Sequence, residues 1–125
     1  MVESNQILVV DDDDDIREVM QEALVAEGFR VDVAKDGQEA LSRLETGEQA
    51  PLILLDMMMP RMDGETFLKV LRERPRLADA RVVVISGNAR VRDQASDLRA
   101  AACFVKPFEL EELLSVIRRL TRQSQ

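Results

Sequence analysis

Apolar residues in this chain fall into two alternating kinds of run. Compact blocks at Gln6–Val10, Leu52–Leu55 and Arg81–Ile85 stop abruptly at acids or turn residues, and the Leu52 block is bounded by Pro51, Pro60 and Gly64. Such runs suit strands buried on both faces. Two weaker blocks, Phe29–Ala34 and Cys103–Val105, bring the number of strands to five. Between them the spacing changes to threes and fours. Ile16, Val19, Met20, Ala23 and Leu24 share one helical face as far as Gly28; Ala40, Leu41 and Leu44 share a second, ended by Gly47. Phe67, Leu68 and Leu71 form a third that runs out before Pro75. The fourth stripe, Val91, Ala95 and Leu98, is narrow and hemmed in by charged or small residues, so this helix should be the least stable. A closing stripe runs through Leu110, Leu113, Leu114, Ile117 and Leu120, with Arg118, Arg119 and Arg122 near its carboxyl end, where cations are favoured.

Five strands alternating with five helices predict an α/β fold of the flavodoxin-like (βα)5 type. Its doubly wound, parallel five-stranded sheet takes the order 2-1-3-4-5. That order sets the first strand beside the third, and ligands of such sheets bind beyond the carboxyl ends of the strands. Those ends carry Asp11 and Asp12, Asp56, Ser86, and Lys106. Taken singly, each has an ordinary explanation: Asp56 as a strand terminator, Ser86 as a strand-end hydroxyl, Lys106 as a surface amine. Asp13 or Asp14 is a natural N-cap, and Asp13, Asp14 and Asp15 read as cap and solvated face.

Composition narrows the chemistry. At 125 residues the chain is one domain, read as spanning 1–125, and its 46% hydrophobic and 33% charged content is that of a globular protein. No apolar run reaches the length of a membrane span, and the N-terminus lacks the basic residues of a signal peptide. A cytoplasmic location is expected, with Cys103 as a lone thiol. The net charge of −7 argues against direct nucleic-acid binding, and the five consecutive acids Asp11–Asp15 account for all but −2 of it. With no histidine at all, a His triad, a His metal site and a phosphohistidine within the chain are excluded.

Carboxylates converging from Asp11, Asp12 and Asp56 would repel one another without a cation. A hard divalent ion that takes oxygen ligands, Mg²⁺ or in its place Mn²⁺, answers that need. Lys106 would add a second counter-charge and Ser86 a neutral hydrogen bond. The set suits a tetrahedral anion joined to a carboxylate. The tract Met57, Met58 and Met59 reads as packing and backbone geometry, because thioethers are too soft for Mg²⁺.

The segments VVDDD, LLDMMMPRMDG, VISGNA and VKPF, in this order, resemble the receiver domain of two-component response regulators, of CheY-like type, from about Ile7 to Leu120. The resemblance implies that Asp56 is the phosphoacceptor. The donor would be a sensor histidine kinase or a histidine phosphotransfer protein. It implies Mg²⁺ held by the side chains of Asp12 and Asp56 and the backbone carbonyl of Met58, with Asp11 acting largely through water. Ser86 and Lys106 fill the family's hydroxyl and lysine positions, Gly87 leaves room for the phosphoryl group, and the Lys106–Pro107 bond is expected to be cis. Any catalysis is confined to the domain's own phosphorylation and dephosphorylation. Partner choice is expected to change through a switch region of Ser86, Gly87 and Cys103, on a monomer or weak dimer. The resemblance implies a downstream target protein, reached by a single-domain regulator or by one domain of a longer protein.

Two positions depart from the family pattern. Cys103 stands where a Tyr or Phe switch residue is usual, and Arg99 where Gly commonly follows the fourth helix; a non-glycine residue in a left-handed cap is strained. Met58 and Asn88 fall at positions that tune dephosphorylation in the family. Three other readings compete. A haloacid-dehalogenase-type enzyme would use Asp11 with Asp13, but lacks its customary following residues here. A calcium loop through Asp11, Asp13, Asp15 and Glu22 has Ile16 in place of its required glycine. A pseudo-receiver scaffold, never phosphorylated, is kept open by Cys103.

Overall fold

In the computed structural model of the chain, residues 5–46, 51–59, 62–97 and 99–122 are described. Gly47, Pro60 and Leu98, and the side chains of Ala95 and Arg122, lie outside the described residues. The elements follow the expected alternation: β1 (Gln6–Val10), α1 (Asp14–Ala26), β2 (Arg30–Ala34), α2 (Gly37–Thr46), β3 (Leu52–Asp56), α3 (Gly64–Glu73), β4 (Val82–Ser86), α4 (Val91–Asp97), β5 (Ala102–Val105) and α5 (Leu110–Arg122). They form one five-stranded sheet in the order β2-β1-β3-β4-β5, every neighbouring pair parallel.

Alternation along the strands divides the core in two. Leu8, Val10, Ile53, Leu55, Val82 and Val84 face α2, α3 and α4, whereas Ile7, Val9, Leu52, Leu54, Val83 and Ile85 face α1 and α5. This is why the three central strands read as continuous apolar blocks, while the edge strand β2 exposes Arg30 and Asp32 between half-buried valines. The stripes of α2 and α3 are buried as expected. On α1 the stripe is narrower than its spacing suggested: Met20 and Leu24 are buried but Val19 is 58% exposed. Leu110, likewise placed on the buried face of α5, is 38% exposed, whereas Leu113, Leu114, Ile117 and Leu120 are buried.

Helix starts sit where side-chain oxygens meet free amides. Asp13 caps α1 by accepting from the Asp15 and Ile16 amides, and Asp63 caps α3 by accepting from Thr66. At the start of α2, Asp36 accepts from the Glu39 amide and the Glu39 carboxylate accepts from the Lys35 amide, a reciprocal closure close to a capping box. Arg99, two residues beyond the last described residue of α4, adopts φ 60, so a non-glycine residue takes the left-handed conformation there. Among the described residues α4 spans seven, fewer than any other helix.

Gly64 shows a constraint that the sequence did not. It opens α3 so close to the end of β3 that an added Cβ would lie 2.6 Å from both the Cα and Sδ of Met57. Because the obstacle includes backbone, Gly64→Ala is expected to lower the unfolding free energy by about 1–3 kcal/mol. The check is a fall in the urea midpoint at unchanged slope.

Candidate functional site

Strand parity explains which side chains meet. Val10, Leu55 and Val105 all pack toward the α2–α4 side, so the residues that follow them, Asp11, Asp56 and Lys106, step to the opposite side at the sheet's carboxyl edge. There they line one cleft of about 620 Å³ together with Asp12 and the start of α1. Ser86 follows Ile85, which faces α1 and α5, and so has the opposite parity. It ends the strand next to β3, one residue beyond Ile85, the register partner of Asp56. Its buried hydroxyl accepts from the Asn88 amide at 3.1 Å, and its carbonyl accepts from the Lys106 amide at 2.8 Å. The chain end of β5 is thus tied to that of β4.

Asp56 is buried. One carboxylate oxygen accepts from the Met58 amide at 3.0 Å, and the other lies 3.9 Å from Lys106 Nζ. Asp11 is buried as well; its carboxylate accepts from the Asp13 amide at 2.9 Å. Asp12 is exposed, yet oxygens of Asp11, Asp12 and Asp56 all lie within 4.8 Å of one another. Burial pushes the Asp11 carboxyl up to about 6; the Asp13 amide and Lys106 oppose the shift, and Asp56 and Asp12 add to it. Asp56 is raised chiefly by burial, against the pull of the Met58 amide and Lys106. Hard oxygens crowded at this distance, with carboxyl groups held above their usual range, fit a divalent cation of the Mg²⁺ kind.

The remaining members behave differently from one another. Met57 and Met59 are buried in the core and Met58 is 63% exposed, so two of the three methionines pack as expected. A Cβ on Gly87 would meet nothing within 4 Å among the described residues outside its own chain neighbours, so packing there does not demand glycine. The Lys106–Pro107 bond is cis. Cys103 is half-buried on the α2–α4 side, its thiol pushed up by burial against the opposing pull of Arg92. The neighbouring Phe104 faces the other side and packs against Phe108 at 5.4 Å between ring centroids, so it cannot stand in for an aromatic ring at position 103. Sequence reasoning missed Arg17, whose guanidinium donates to the Asp11 carbonyl at 2.7 Å. A basic residue two positions after five acids was the available signal.

The family model described as the response regulator receiver domain matches residues 7–118. The chain belongs to that family. Among curated proteins, this receiver is 39% identical to the response regulator MprA of Mycolicibacterium vanbaalenii, over 95% of the chain and 51% of that protein. It is 37% identical to the transcriptional regulatory protein DltR of Streptococcus agalactiae, over 95% of the chain and 53% of that protein. The chain therefore spans about half the length of these relatives. Among solved structures, it is similar to the response regulator TrrA of Thermotoga maritima in complex with Mg²⁺ and BeF, with TM-score 0.81 and 33% identity over 92% of this chain and 97% of that one. It is also similar to the chemotaxis protein CheY4 of Vibrio cholerae, with TM-score 0.83 and 28% identity over 94% and 98%. The receiver therefore works in two-component signalling, where such domains interact with histidine kinases or phosphotransfer proteins and generally bind Mg²⁺ at an acidic pocket. Among the described residues no helix is long and apolar enough to cross a membrane.

Proposed function

We propose that Asp56 accepts a phosphoryl group from the phosphohistidine of a kinase or phosphotransfer protein, and that the domain changes its partner surface in response. The observation that carries this reading is the convergence of Asp11, Asp12, Asp56 and Lys106 in one cleft. In the transfer, an Asp56 carboxylate oxygen forms the new O–P bond as the donor's N–P bond breaks, and the electron pair leaves with the imidazole nitrogen. Lys106, close to Asp56 but beyond hydrogen-bond length, can move onto the incoming anion. The Met58 amide orients the nucleophile.

Asp11, Asp12 and Asp56, with the Met58 carbonyl, would hold Mg²⁺, or Mn²⁺ in its place; when bound, that ion supplies charge stabilisation to the transferring oxygens. Ser86, on the adjacent strand end, would turn its hydroxyl from the Asn88 amide to the phosphoryl group and draw the loop through Gly87 with it. Cys103, small and on the α4 side, would fill vacated volume instead of sweeping a ring.

Incubation with acetyl phosphate and Mg²⁺, followed by intact-mass measurement, is expected to show one labile phosphoryl group that EDTA prevents. Peptide mapping should place it on the segment carrying Asp56. No uptake from acetyl phosphate or from a matched kinase would favour the pseudo-receiver scaffold; modification of Asp11 would favour the dehalogenase-type chemistry.

A further inference from the structure

A cation in the opening turns of a helix is set against the partial positive charge of the helix N-terminus. Arg17 stands there, yet its side chain is only 16% exposed. Its guanidinium reaches back past the helix start, where Nη1 donates to the Asp11 backbone carbonyl at 2.7 Å and Nη2 pairs with the exposed Asp14 carboxylate. Asp11 is thereby held at three points. Its amide donates to the Ala34 carbonyl at 3.1 Å, its carboxylate accepts from the Asp13 amide, and its carbonyl accepts from Arg17. Asp12, the next residue, is exposed and lies between the Asp11 carbonyl and the Asp13 amide that these contacts hold.

We propose that Arg17 is a positioning residue: through the Asp11 carbonyl it fixes the β1–α1 loop so that Asp11 and Asp12 present their oxygens to a divalent cation beside Asp56. This rests on the metal reading given above. Charge alone predicts the opposite effect, since removing a cation from beside clustered acids should strengthen cation binding. The sign of the change therefore separates positioning from electrostatics.

The test is Mg²⁺ titration of the unphosphorylated chain by calorimetry, suited to a protein without Trp or Tyr, together with hydrogen exchange of the Asp13 amide in the absence of metal. Arg17→Gln, a good helix former, is expected to weaken Mg²⁺ binding by about tenfold, at the low end for residues that support metal ligands. It should also speed exchange at the Asp13 amide. Arg17→Lys, keeping the charge and a donor, should recover part of the loss. Asp14→Asn, which removes the ion pair and one well-exposed charge at the cleft rim, should stay within about twofold of wild type. Binding to Arg17→Gln as tight as wild type or tighter, with Asp13 exchange unchanged, would overturn the proposal, as would an equal loss in Asp14→Asn. Wild type failing to bind Mg²⁺ would overturn the metal reading itself, a result distinct from either.

Discussion

Replacing Asp56 by asparagine is expected to abolish phosphoryl uptake while leaving a folded protein. The amide has no oxygen of carboxylate nucleophilicity, whereas its carbonyl can still accept from the Met58 amide as Asp56 does at 3.0 Å. The substitution also removes one of three crowded acids from a site where burial already holds the Asp56 carboxyl above its usual range. In the absence of metal the variant should therefore be more stable than wild type at neutral pH, the direction opposite to that of most core changes. Intact mass after acetyl phosphate treatment reads the first effect and urea denaturation in EDTA reads the second. A labile phosphoryl group on Asp56→Asn would mean that another side chain is the acceptor.

Much of this site was legible because it is built from strand ends. An apolar block that stops at a polar residue announces both the strand and what it delivers to the edge, and β1, β3 and β4 each do so with Asp11, Asp56 and Ser86. The cap at Asp13 was legible for a similarly local reason. Distances across the fold were not. The near-contact of Gly64 with Met57 depends on the entry angle of α3, and glycine there read only as a stop. Arg72 is a second case: it donates to the carbonyls of Ala78 and Ala80 and to that of the left-handed Arg99, 27 residues away.

Periodicity also overstated two helix faces, for one physical reason. Val19 on α1 and Leu110 at the start of α5 both line a cleft between those helices, floored by Leu54 and Ile85 and reaching Asp56 and Lys106. Each fits its helical stripe, but Met20 and Leu24 on one side and Leu113, Leu114 and Ile117 on the other make the packing against the sheet, and Val19 and Leu110 border the gap left between the two helices. A sequence stripe records which residues are apolar and not how wide the facing surface is. The same limit applies at β5, where parity, invisible until the register is known, decides that Cys103 faces α4 while Phe104 faces α5.

The metal-free protein is expected to become more stable, not less, as pH falls from 7 toward 5. Asp11 carries the effect: its carboxyl, ordinarily near 3.8, is pushed up to about 6 in the fold by burial. Between those values the native state holds a proton that the unfolded chain has released, so stability falls as pH rises through this window and levels off above it. A shift of this size corresponds to about 3 kcal/mol at most. Asp56, also raised, acts in the same direction. Mg²⁺ reverses the slope, because it binds the deprotonated acids: at a hundredfold excess over Kd it would restore about 2.7 kcal/mol at pH 7. Its affinity should fall about tenfold per pH unit below 6 for each proton displaced. Asp11→Asn should flatten the metal-free pH dependence, gain stability at pH 7 and lose most of the Mg²⁺ response. Urea midpoints at pH 5 and 7, with EDTA and with Mg²⁺, measure all of these; a metal-free wild type less stable at pH 5 than at pH 7 would show that burial does not raise the Asp11 carboxyl in the fold.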